Sequence, residues 1–182
     1  MKKLFVLTAL LLAGFVNLAW SQEVRTVASV DLTRYVGTWY EIARFPNRFQ
    51  KDCVANVKAQ YIKRADGNVD VINRCKEADG KINQASGVVR VDNPQTKAKL
   101  KVSFAPDWLN WVPFIWGDYW IIDLAPDYSL AAVGDPSRDY LWVLSRTPSI
   151  ADADYEALVN RVTAQGFDTA KLVKTAQEKT AK

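Results

Sequence analysis

Glu41 and Asp123 are the side chains with which this chain could do acid–base work. Each falls on the same face as apolar residues in an alternating stretch, Trp39-Tyr40-Glu41-Ile42-Ala43 and Tyr119-Trp120-Ile121-Ile122-Asp123. A carboxyl group on such a face must find a partner or stay protonated, and an acid–base pair needs one group in each state. For Glu41 the residue types favour a structural network, with Tyr140, Tyr119 or Asn73 as hydrogen-bond partner. Nothing suggests paired carboxylates of the glycosidase kind. No histidine stands at any of the 182 positions. That excludes a Ser-His-Asp triad, a Cys-His pair and the usual zinc and iron sites. The expectation is therefore a protein that is not an enzyme, with no catalytic residue, no metal and no cofactor.

The two cysteines, Cys53 and Cys75, read through the start of the chain. Met1-Lys2-Lys3 is followed by an apolar run from Leu4 to Ala13, and Ala19-Trp20-Ser21 fits a small-x-small cleavage site. This describes a secretory signal peptide over residues 1–21, too short to span a membrane, with a mature start near Gln22. Export to an oxidising compartment makes a Cys53–Cys75 disulfide the default. Parity puts both on one face, near the same end of adjacent strands. Counting back from the Asp66-Gly67 turn leaves them a few residues out of register, so the bridge requires a bulge. The alternative is two buried free thiols.

The elements that must position these groups recur at regular spacing. A strand starts at Gly37; others are expected over Val54 to Lys63, Asn68 to Cys75, Ala85 to Val91, Lys97 to Phe104, Asp118 to Leu124, Ser129 to Gly134 and Asp139 to Arg146. Eight strands in hairpin order read as an all-β, up-and-down antiparallel barrel, whose closure removes exposed sheet edges. After Pro148 the period changes to that of a helix marked by Ile150, Tyr155, Leu158, Val159 and Val162, with Ser149 as cap and Gly166 past its end. The division is residues 22–29 as an N-terminal extension, 30–175 as barrel plus helix, and 176–182 as a polar tail, with fraying expected from Thr175 onward. A net charge of +4 without a basic–aromatic cluster makes nucleic acid an unsuitable partner.

Alternation also lists an interior. Trp39, Glu41, Ala43 and Phe45 come from the first strand, Val57, Ala59 and Tyr61 from the second, and Val71 and Asn73 from the third. Leu100, Val102 and Phe104 follow, then Tyr119, Ile121 and Asp123, and finally Tyr140, Trp142 and Leu144. Apolar walls with a few polar groups suit a ligand cavity. Ala43 and Ala59 leave space where a packed core would want bulk. The competing reading is a barrel filled by large side chains, for which seven tryptophans supply the material.

Gly37-Thr38-Trp39-Tyr40 at the start, with Arg138-Asp139-Tyr140-Leu141-Trp142-Val143-Leu144-Ser145-Arg146-Thr147-Pro148 near the end, resembles the lipocalin family. The likeness runs from about Val30 to Phe167 and is nearest to the bacterial lipocalins related to apolipoprotein D and the plant temperature-induced lipocalins. It departs at Asp123-Leu124-Ala125-Pro126-Asp127-Tyr128, where the family's usual turn after the sixth strand is altered. The resemblance implies a barrel with one C-terminal helix on its wall, closed by Arg146 packed across Trp39. It also implies a lipid-binding carrier or storage protein of the bacterial envelope, holding a fatty acid, lysophospholipid or similar ligand as a monomer or homodimer. Structural envelope protein and enzyme on the same scaffold are the alternatives. Many bacterial relatives are acylated on a cysteine after a Leu-Ala-Gly-like box. Here Phe15 follows Leu12-Ala13-Gly14, so a soluble periplasmic protein is expected, able to make peripheral contact with the outer membrane, with an uncleaved anchor as the alternative.

The connection from Ala105 to Gly117 is unusually apolar for a loop. Trp108, Trp111, Phe114 and Trp116 could form a lid over the ligand, a contact with the membrane interface, or packing on the rim. Counting hairpins puts this loop at the open mouth, opposite the Trp39–Arg146 closure.

Overall fold

A computed structural model describes residues 23–178 of the chain. The expected signal peptide lies outside them. Eight strands follow one another around a single antiparallel sheet: β1 (Gly37–Arg44), β2 (Cys53–Lys63), β3 (Val69–Glu77), β4 (Ile82–Val91), β5 (Lys99–Ser103), β6 (Gly117–Leu124), β7 (Leu130–Gly134) and β8 (Leu141–Ser145). β1 pairs with both β8 and β2, which closes the barrel. The alternation that shapes the strands is visible in β2, where Ala55, Val57, Ala59 and Tyr61 are buried and Val54, Lys58 and Ile62 are exposed. At the β2–β3 turn Gly67 takes φ +89°, a conformation L side chains rarely adopt, and Asp66 accepts from the Asn68 N–H at 2.9 Å.

Two apolar clusters follow from the two faces of the sheet. Inside the barrel lie Trp39, Ala59, Tyr61, Val71, Val89, Leu100, Tyr119, Ile121, Val133 and Leu144, with Tyr35 from the short helix α1 (Leu32–Tyr35). Outside, helix α2 (Asp152–Thr163) lays Leu158 and Val162 against Trp120, Ile122, Ala132, Leu141 and Val143. α2 begins after Ala151, one turn's approach beyond the expected cap Ser149, whose carbonyl instead accepts from the Thr147 hydroxyl. Asp152 and Asp154 in its first turn and Arg161 in its last suit the helix dipole. No helix among the described residues is long and apolar enough to cross a membrane.

Two bulges change which residues face inward. In β1 the register with β8 shifts between Glu41 and Ala43. Beyond it Ala43 pairs with outward Val143, and Ala43 and Phe45 join the cluster under α2 rather than the interior. The expectation that these two residues line the cavity is therefore corrected: one inserted residue, Ile42, reverses the phase of everything after it. In β6 a shift between Ile121 and Asp123 does the same. Asp123 faces out and takes both guanidinium contacts of Arg161, at 2.6 and 2.9 Å, so it is no interior acid.

The tail does not fray at Thr175. A ninth strand, β9 (Val173–Lys174), pairs with the end of β1. Ala176 then bridges to Ala55, and the Gln177 amide donates to the carbonyls of Glu41 and Val57 at 2.9 and 2.8 Å. Beyond Tyr40, β1 has left β2, and the tail fills the gap between them. Unpaired backbone on both strands, not side-chain hydrophobicity, holds this polar segment in place.

Candidate ligand-binding site

The interior divides into a floor and an upper chamber. The floor starts from α1, whose N-cap Asp31 accepts from the Thr33 N–H at 2.8 Å and whose Tyr35 side chain enters the barrel. Tyr119 from β6 joins its hydroxyl to those of Tyr35 and Tyr61, at 2.8 Å each. All three phenols are buried. Burial pushes Tyr61 up to about 12 and holds Tyr35 and Tyr119 well above the ordinary phenol value. They are hydrogen-bonded neutral groups, not bases.

Beneath them Trp39 is fully buried, its indole N–H donating to the Tyr35 carbonyl at 2.8 Å. The Arg146 guanidinium lies 4.0 Å above the Trp39 ring centroid. It also donates to the backbone carbonyls of Arg34, Tyr35, Thr38 and Tyr128, at 2.6 to 3.3 Å. One side chain thus ties α1, β1 and the β6–β7 turn together, which suits arginine's planar, always charged fork.

Above the floor, Ala59 and Val71 belong to the buried interior cluster, and Val102 and Trp142 pack against it partly buried. Register places Asn73 opposite Ala59 and Ala85, and Val102 opposite Val89. Ala85, opposite Asn73, and Phe104 are exposed to solvent, so the buried cluster stops short of this end of the barrel. Phe104 lies so close over Gly87 that a Cβ there would stand 2.8 Å from its ring.

Glu41 sits where β1 turns inward, but not with its expected partners Tyr140, Tyr119 or Asn73. The bulge brings Arg44 inside, opposite Trp142, and Arg44 pairs with Glu41 at 2.7 Å. The other Glu41 oxygen accepts from the Gln50 amide at 2.7 Å, and Thr175 also donates to the carboxylate. Gln50 in turn accepts from the Trp142 indole N–H and the Asn47 amide, both at 2.9 Å. This network ties the β1–β2 loop, the tail and β8 to one carboxylate. Every oxygen of Glu41 is engaged, which suits a structural role. Alternation puts Arg44 on the face opposite Glu41, with Tyr40 and Ile42, and no pattern singles out Gln50 or Thr175. Arg44 was hidden by the bulge, and the other two lie in segments without periodicity.

Cys53 and Cys75 form a disulfide, Cα–Cα 5.6 Å. The required bulge is present twice, as β2 shifts register with β3 between Cys53 and Ala55 and again between Ala55 and Lys58. Asn56, at φ +54°, occupies the second bulge and passes its backbone N–H to the Ala176 carbonyl.

At the rim the β5–β6 loop is ordered by two 3₁₀ turns, Asp107–Leu109 and Pro113–Ile115. Trp116 is its anchor: it donates to the Asn110 carbonyl at 3.0 Å and lies under the Arg90 guanidinium at 4.1 Å. It therefore stands apart from Trp108, Trp111 and Phe114, which are 73, 79 and 94% exposed. From the facing loop, Phe49 lies 5.9 Å from Tyr140, which stacks on Trp142 at 5.8 Å. Among the described residues no cluster of His, Cys, Asp and Glu could hold a metal ion.

Comparisons with known proteins fit this geometry. Residues 30–177 match the model of a lipocalin-like domain. The chain is 40% identical over 161 residues to temperature-induced lipocalin-1 of Arabidopsis thaliana, covering 87% of this chain and 86% of the relative. It is 40% identical over 177 residues to outer membrane lipoprotein Blc of Escherichia coli, covering 94% and 96%. Among solved structures, insecticyanin from the tobacco hornworm Manduca sexta superposes with a TM-score of 0.65 at 19% identity, covering 87% of this chain and 86% of that one, which speaks to the fold alone.

Proposed function

The chain belongs to the lipocalin family, whose members bind small hydrophobic ligands, and from that premise we propose that it is a lipid carrier or storage protein of the bacterial cell envelope. The ligand is a fatty acid, lysophospholipid or similar single-chain lipid, its tail in the upper chamber and its headgroup at the mouth. The observation that supports this reading is the contrast above the tyrosine floor, where the buried interior gives way to solvent-exposed Ala85 and Phe104 and partly exposed Asn73 and Val102. Electrostatics sets the orientation. The charges that β1 brings inside, Glu41 and Arg44, neutralise each other. A free carboxylate or phosphate driven downward would meet only neutral phenols, at a desolvation cost its headgroup avoids by staying in water. The name of the Escherichia coli relative supports an outer-membrane setting, that of the plant relative a role under temperature stress. The chain's own location would be the periplasm.

The test is organic extraction of protein purified from the periplasm, followed by mass spectrometry. Co-purified acyl chains in near-stoichiometric amount are expected. An empty extract, together with no uptake of added lysophospholipid, overturns the carrier reading in favour of a filled structural barrel.

A further inference from the structure

Exposed apolar side chains are not scattered over this molecule. Nine large ones stand in solvent among the described residues, and five of them, Phe49, Phe104, Trp108, Trp111 and Phe114, lie in the loops at the mouth. Chance would spread them over both ends and the wall, so the clustering marks a contact surface. The most exposed are Trp108, Trp111 and Phe114 on the β5–β6 loop, with Phe49 across the mouth.

The loop does not owe this exposure to lack of structure. Its two 3₁₀ turns are closed by backbone bonds from Leu109 to Pro106, Asn110 to Asp107 and Trp116 to Pro113, and Asn110 also donates to the Asp107 carboxylate. Trp116 fastens its base. The three aromatics are thus held outward on a rigid base, where a lid would bury them against the chamber. From Phe49 an aromatic path continues inward through Tyr140 to Trp142.

We propose that this rim is a docking surface for a lipid bilayer, set into the headgroup–acyl boundary so that the mouth opens onto the membrane and a lipid passes without crossing bulk water. Tryptophan suits that depth because its ring is largely apolar while its N–H stays hydrated. The rim's charges are mixed: Arg48 and Lys51 stand beside Asp52, Lys81 beside Asp79, and Asp107 precedes Trp108. No single-sign field results, so docking depends on aromatic insertion and not on anionic lipid. The purpose of the surface rests on the carrier reading; its existence does not.

The experiment is vesicle flotation of the full-length mature protein and of the triple variant Trp108→Ser, Trp111→Ser, Phe114→Ser. It uses pure phosphatidylcholine vesicles and vesicles with added phosphatidylglycerol. Affinity for a fluorescent fatty acid and sedimentation of the protein alone are measured alongside. The protein is expected to float with both vesicle types to a similar extent. The variant should lose binding severalfold, with its melting temperature and fatty-acid affinity nearly unchanged. Loss of fatty-acid affinity in the variant would make the loop a lid and overturn the proposal. So would failure of the parent to float, unchanged flotation of the variant, or a parent dimer that the variant abolishes, which would assign the surface to a second copy. A protein that floats through its aromatics yet carries no lipid would leave the docking surface standing and remove the carrier function.

Discussion

Tyr35, Trp39, Tyr61 and Tyr119 at one end of the barrel are at most 9% exposed, whereas Phe49, Phe104, Trp108, Trp111 and Phe114 at the other are at least 45% exposed. Both ends are built from aromatics. What differs is what the surrounding chain supplies. At the closed end every phenol and the indole N–H of Trp39 has a partner, and Arg146 covers the ring. At the mouth only Trp116 and Trp142 are held by side-chain or carbonyl partners, and the outermost rings face solvent. Aromatic content therefore predicts neither core nor surface; the hydrogen-bond partners that the surrounding chain supplies decide. The closed end carries stability, and the mouth is free to carry contact.

Substitutions that empty or unpair the closed end should separate the two ends most sharply. Trp39→Ala removes a fully buried indole and strands Arg146 over a cavity, and should cost about 3–5 kcal/mol of unfolding free energy in a urea titration. Arg146→Ala, which uncovers the ring and leaves its backbone carbonyl partners unpaired, should cost about 1–3 kcal/mol. Values near zero for either would show that the closure is ornamental and the comparison false.

The next effect concerns the floor. Tyr119→Phe leaves the hydroxyls of Tyr35 and Tyr61 without each other's link, at about 1–3 kcal/mol. pH sharpens the point. These phenols are neutral in the folded state with raised pKa values, about 12 for Tyr61, against an ordinary value of 10.0. The folded protein therefore holds more protons than the unfolded chain above pH 10. Stability is fully present below that pH and is lost as pH rises through the window up to about 12. Phenolate absorbance should show Tyr35, Tyr61 and Tyr119 silent until the barrel unfolds; titration of all seven tyrosines near pH 10 in folded protein would contradict the buried triad.

The smallest stability effect belongs to the mouth. Phe114→Ser, at a side chain 94% exposed, should shift unfolding free energy by no more than about 0.5 kcal/mol. A larger loss would mean that the loop braces the barrel and that the two ends share one role.

Much of the closed end was legible in the sequence, because its determinants are local and periodic. The Gly37 strand, the Asp66-Gly67 turn and the parity of Ala59, Tyr61, Val71 and Leu100 follow from alternation alone. The misread residues lie after bulges. Ala43, Phe45 and Asp123 each continue an unbroken pattern in one dimension, and only the register with a neighbouring strand shows that a residue has been inserted. The disulfide is the instructive exception, since the mismatch of Cys53 and Cys75 can be counted from the turn and points to a bulge from the sequence alone. Tyr35 lies one turn before β1, in a segment with no periodicity of its own, and Gln50 and Thr175 bond through polar atoms that hydrophobic patterning does not register.

The docked tail has a consequence for the order in which this molecule is made. Gln177 bonds the carbonyl of Glu41 across 136 positions of sequence, and the gap it fills lies between the first two strands. A chain delivered from its N-terminus presents β1 and β2 early but cannot join their upper halves until residues 173–178 have emerged. The wall stays parted until then, and contacts of such long range are the slow ones to form. Residues 173–178 thus act as a latch on an assembly whose preceding parts are already in hand.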